Sequence, residues 1–61
     1  MTTVIGYQVR HYWADVPGSV NRGFAEDGLD KARAWRDLMR AENPHDRFEI
    51  VEITSTERVV E

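Results

Sequence analysis

The chain has 61 residues, 8 basic and 11 acidic side chains for a formal charge of −3, and no cysteine. This length allows one domain with a thin core, because chains of this size bury only about 60% of their unfolded surface. The lack of cysteine excludes disulfides and thiolate metal sites. The acidic balance weighs against a nucleic-acid module, whose affinity comes largely from neutralising phosphates. No apolar run approaches the roughly 20 residues that cross a bilayer.

Residues 4–13, VIGYQVRHYW, are rich in β-branched and aromatic types and read as a strand. Alternation places Tyr7, Val9, His11 and Trp13 on one face, the more apolar, and Gly6, Gln8, Arg10 and Tyr12 on the other. Pro17-Gly18 then signals a type II turn, in which proline presets the first central φ and glycine supplies the positive second one. A second strand fits Val20–Phe24, where Gly23 marks a bulge or a sheet edge.

A helix is predicted from Gly28 to about Glu42, with Asp27 as N-cap and Asp30 favouring the positive helix end. Leu29, Ala32, Trp35, Leu38 and Met39 recur every three or four residues and form its apolar stripe. Arg33 and Asp37, four apart, are expected to pair. Asn43-Pro44 ends the helix, since proline lacks the amide donor and disfavours the α region before it. Arg47–Thr54, RFEIVEIT, reads as a strand with apolar residues on both faces: Phe48 and Ile50 on one, Val51 and Ile53 on the other. Thr54-Ser55-Thr56 is a turn, and Arg58–Val60 a short last strand. The expectation is a single α+β domain over residues 1–61. It has two layers, β-β-α-β-β, with one helix on an antiparallel sheet of strand order 2-1-3-4.

One helix covers one side of such a sheet. The far side should show Gln8, Arg10, Tyr12, Glu49, Val51 and Ile53. Either a bulge returns Val51 or Ile53 to the core, or another chain buries that face or an exposed edge strand. A small domain without disulfides also gains from a second subunit, so self-association is expected.

The catalytic inventory is thin. His11 and His45 lack metal-ligand spacing, so both are read as packing or solvated side chains and no metal or cofactor is expected. Ser19, His45 and Asp46 could be named as a triad, but geometry defines a triad, not composition. No nucleophile elbow or phosphate-binding glycine loop is present. Glu26, Asp27, Glu49 and Glu52 are read as capping and solvated carboxylates, and the chain is not read as an enzyme. Trp35 is a core anchor; Trp13, at a strand end, packs on the core or serves as a contact. The segment MTTVIG lacks the basic and apolar regions of a signal peptide, which makes a cytoplasmic location the default.

Tyr7, Val9 and Arg10, then Gly23 and Phe24, Ala32, Ala34, Trp35 and Leu38, Asn43 and Pro44, and Ile50–Thr54 form a pattern across most of the chain. It resembles short proteins of actinobacteria and their bacteriophages. That resemblance implies an accessory protein that acts by binding, often to a host protein, and carries no catalytic residue over. The expected function is therefore a non-enzymatic protein-interaction module, with self-association, contacting its partner through Arg10, Tyr12, Arg22, Val51 and Ile53. The alternative is a sheet-based nucleic-acid binder using Arg10, Tyr12 and Arg22, which the net charge disfavours. No membrane association is expected.

Overall fold

The computed structural model describes residues 3–61; Met1 and Thr2, which begin the MTTVIG segment, lie outside them. The elements run β1 (Gly6–Tyr12), β2 (Val20–Ala25), α1 (Leu29–Glu42), β3 (Arg47–Ile53) and β4 (Glu57–Val59). All strand pairs are antiparallel and the sheet order is β2-β1-β3-β4. The expected α+β fold, β-β-α-β-β with strand order 2-1-3-4, is the fold observed. Among the described residues no helix is long and apolar enough to cross a membrane.

The core forms where β1 and β3 pair under the helix. Val9 and Ile50 are cross-strand partners, and both are fully buried. Ala32 closes over them as the one completely buried residue of α1, and Phe48 joins the cluster. Tyr7, Phe24, Leu29, Trp35, Met39 and Val60 pack around its rim. Ala32 has no side chain beyond Cβ, so the helix can come close to the sheet. The molecule is accordingly thin, about 14 Å along its shortest axis.

β1 and β3 keep continuous register from Gly6↔Ile53 to Tyr12↔Arg47. A bulge that would return Val51 or Ile53 to the helix is therefore absent. Alternation leaves both on the face opposite α1, and Val51 is nonetheless fully buried within the single chain. Gly23 likewise pairs in register with Gln8, so it marks an edge strand and not a bulge.

Several local expectations are corrected. The N-cap of α1 is Gly28, with no side-chain capping bond, in place of Asp27. Gly28 N–H donates to the Ala25 carbonyl, a tight turn that closes the gap between β2 and the helix. Leu38 is 57% exposed, because it lies well round the helix from Ala32 and Met39. Arg36, outside the apolar stripe of the sequence, takes a place near the core with its side chain only 13% exposed. Arg33 pairs with Asp30 and Glu61 and not with Asp37, which Arg36 engages instead. Asn43 ends the helix as expected, its backbone and side-chain amides both donating to the Met39 carbonyl.

Two glycines are required by geometry. Gly18 adopts φ +92°, the left-handed value the Pro17-Gly18 turn demands. At Gly6, a Cβ would lie 2.6 Å from the Phe24 carbonyl oxygen, so only glycine lets β1 and β2 approach there.

Ile50→Ala should lower unfolding stability by about 2–5 kcal/mol, read from urea titration. Gly6→Ala should cost about 1–3 kcal/mol through the forced separation of β1 and β2. Gly23→Ala, whose Cβ would meet nothing within 4 Å, should not destabilise in the same titration.

Candidate interaction surface

The sheet face away from α1 is built by alternation. β1 contributes Gln8, Arg10 and Tyr12; β3 contributes Arg47, Glu49, Val51 and Ile53; β4 contributes Glu57 and Val59. Two polar assemblies organise it. At one end the Arg47 guanidinium carbon sits 4.1 Å from the centre of the Tyr12 ring, its cross-strand partner. Glu49 holds both: it accepts from Tyr12 Oη at 3.2 Å and from Arg47 Nη1 at 2.6 Å. The ring is thus fixed in place by a cation on its face and a carboxylate at its hydroxyl.

The second assembly reaches across the sheet. Arg10 Nη2 donates to Glu57 at 2.8 Å and to Gln8 at 3.4 Å. Arg10 stands opposite Glu49, whereas Glu57 stands opposite Ile53 on the outer strand. The span between them crosses Val51 diagonally. Val51 is fully buried although no helix covers it; Gln8 and Val59 flank it across the strands, and the Arg10–Glu57 bond spans the sheet at its position, where a long amphipathic side chain can cover apolar surface. One consequence is that Arg10 Nε is buried with no hydrogen-bond partner among the described residues. Glu57 raises the Arg10 pKa, chiefly through this hydrogen bond. Beside this cover, Val59 is 54% exposed and Ile53 is half-buried.

The five residues expected to share this face do not all do so. Arg10, Tyr12, Val51 and Ile53 are on it, but Val51 is beneath Arg10 and has no exposed surface. Arg22 is on the other face, because it pairs with Val9, a core residue. Its guanidinium carbon lies 5.4 Å from the Trp35 ring centre and 5.8 Å from that of Phe24. The expected trio of Arg10, Tyr12 and Arg22 is therefore split between opposite faces. Glu52, read as a solvated carboxylate, is on the helix side and pairs with Arg58.

The sequence reading missed Arg47, Glu57 and Val59 as members of this face. A signal for Arg47 existed: once Val9 is set opposite Ile50, antiparallel counting brings Tyr12 opposite Arg47. Glu57 and Val59 depend on where the Thr54–Thr56 turn ends, which composition does not reveal.

A second polar site lies on the helix side. His11 is 5% exposed, with its ring centre 4.4 Å from Phe48 and 4.6 Å from Trp13. Its Nε2 lies 2.7 Å from Asp46 Oδ2, and Asp46 Oδ1 accepts from Ala14 N–H at 3.1 Å. The carboxylate can only accept, so His11 Nε2 carries the proton. Trp13, just past β1, is 40% exposed and packs on this imidazole, outside the central cluster. With Phe48 and Trp13 packed against its ring and Nε2 on Asp46, the imidazole is held as a packing group. The pair fastens the β1–β2 loop to the turn before β3. Among the described residues no three His, Asp or Glu side chains converge as a metal site.

The chain's last residue makes a comparable clamp. Glu61 accepts from Arg33 Nε and from Arg36 Nη1, the latter at 2.8 Å. Its backbone bonds with Ile50, which extends the β3 ladder beyond β4. Family models, characterised proteins and solved structures were compared with the chain, and none matches.

His11, first, and the Ala14 amide hold the Asp46 carboxyl below its ordinary pKa of 3.8. Arg36, then Arg33, hold Glu61 below its ordinary 4.5. Both groups are more acidic in the folded state, so their contribution is complete above those ordinary values. It is lost as pH falls through the depressed ones. The urea midpoint should therefore hold steady down to about pH 5 and drop below about pH 4. Asp46→Asn should lower the midpoint at neutral pH and make the acid drop shallower.

Proposed function

We propose that the protein is a non-enzymatic interaction module that binds a protein partner on the open sheet face. This is the role implied by its resemblance to accessory proteins of actinobacteria and their phages. The observation that carries this reading is the locked Tyr12–Arg47–Glu49 assembly beside exposed Val59 and half-buried Ile53. An aromatic ring already held in one orientation loses little entropy on binding, and aromatic and arginine side chains dominate binding hot spots. The face is also electrically balanced. Arg10 and Arg47 are offset by Glu57 and Glu49, so a partner meets paired charges beside apolar surface.

The same pairing weighs against nucleic acid as the ligand. Phosphate would have to displace a carboxylate from each arginine, and Arg22 lies on the opposite face. A stacking and phosphate-binding surface needs its cations free and on one side.

The test begins with capture of a partner from cell lysate, followed by titration of the purified partner. Tyr12→Ala and Val59→Glu should each weaken binding by about tenfold or more. Tyr12→Ala should cost only about 1 kcal/mol of stability, the scale of a surface cation–π contact, against about 3–5 kcal/mol for a core aromatic. Leu38→Ala, on the far side of the helix, should leave binding unchanged. Titration with duplex and single-stranded DNA at low salt should show no complex. A DNA complex that weakens steeply with salt would reverse the assignment.

A further inference from the structure

The two edges of the sheet are unlike. β4 has three residues and bears Glu57 and Arg58, and shortness and charge are two means by which edges avoid pairing. β2 has six residues, VNRGFA, with no proline and no lysine. All of it is exposed except half-buried Phe24. Its one charged side chain, Arg22, folds back over the Trp35 and Phe24 rings and does not screen the edge. Nothing lies within 4 Å of where a Gly23 side chain would begin. β2 thus offers a row of unpaired backbone groups with little to repel another strand.

We propose that β2 pairs antiparallel with β2 of a second copy about a two-fold axis at Phe24, joining two sheets into one. The identity of the occupant follows from the order Arg22-Gly23-Phe24-Ala25-Glu26. Set against itself in antiparallel register about Phe24, this segment is complementary at every position. Arg22 meets Glu26, Gly23 meets Ala25, and Phe24 meets Phe24. Opposite charges close both ends, an aromatic pair occupies the centre on the helix side, and small residues meet on the other face. Among the described residues neither Arg22 nor Glu26 forms an ion pair within the chain. A register centred on Gly23 would set Arg22 against Phe24 and Val20 against Glu26, which leaves all four charges without partners. A two-fold pairing of identical patches is also the commonest closed assembly. This edge is distinct from the open face, so the inference stands independently of the partner proposed there.

Sedimentation velocity over a range of concentrations tests it. The wild-type chain should pass from monomer to dimer as concentration rises. Arg22→Glu and Glu26→Arg each set like charges opposite at both ends of the interface and should each weaken dimerisation by about tenfold or more. An equimolar mixture of the two variants restores both oppositely charged pairs and should dimerise again. Circular dichroism establishes that each variant is folded. Glu26 is exposed in a turn, so Glu26→Arg remains informative if Arg22→Glu disturbs the stack on Trp35; adding Arg22→Glu to it in the same chain should restore the dimer. A wild-type chain that stays monomeric at its highest soluble concentration overturns the proposal. So does a dimer indifferent to Glu26→Arg, or one that Tyr12→Ala dissociates instead.

Discussion

The contact between Val9 and Ile50, sealed by Ala32, is the one on which the rest of the structure depends. Two β-branched side chains on the central strands meet at full burial, and the alanine above lets the helix approach them closely. Burying side chains of this size contributes roughly 1.5–3 kcal/mol each, which is large beside the net stability of any small domain. The pairing also fixes register. With Val9 opposite Ile50, every other residue of β1 and β3 has its partner and its face assigned, since a slip of one position would turn Val9 outward. The placement of Tyr12 against Arg47 and of His11 against Phe48 follows from this contact.

So thin a layer cannot close itself by apolar burial alone. Polar pairs distant in sequence fasten what the core does not reach. His11 and Asp46 hold the β1–β2 loop to the turn before β3. Glu61 ties the strand extension after β4 to the helix through Arg33 and Arg36. Arg10 and Glu57 join β1 to β4 over the top of Val51. Where such a pair reaches the surface, as Arg10–Glu57 does, it is worth about 1 kcal/mol or less, so its part is to position the segments around the core. The Arg10 cover also shows how a sheet with one helix can bury an apolar side chain on its uncovered side. A long, amphipathic side chain lies across it while its charged head finds a carboxylate.

These constraints leave two unlike surfaces for recognition. The open face is ordered and charge-balanced, with its aromatic ring held before any partner arrives. The β2 edge offers backbone groups and a segment complementary to itself. Both exist because the single helix is spent on one side of β1 and β3, leaving the opposite side and the outermost long strand to solvent.

The order of elements was readable from residues alone, because each local signal has a local cause. The β-branched and aromatic runs, the Pro17-Gly18 turn and the stop at Asn43-Pro44 act within a few residues of themselves. So does period-two alternation, which assigned Val51 and Ile53 to the face away from Phe48 and Ile50. The candidate contact set was only partly readable. Arg22 was grouped with Arg10 and Tyr12, but its face is decided by pairing with Val9 across a hairpin whose register the loop sets. Val51 was given the correct face and the wrong exposure, since its neighbours on β1 and β4, with Arg10 reaching across to Glu57, bury it in the tertiary structure. The His11–Asp46 and Arg36–Glu61 pairs join residues far apart along the chain. Local propensity thus determined which segments are helix and strand and which way their side chains alternate. The choice of partner for each polar side chain belonged to the tertiary structure, because hydrogen bonds and ion pairs act over a few ångströms in space whatever the separation in sequence.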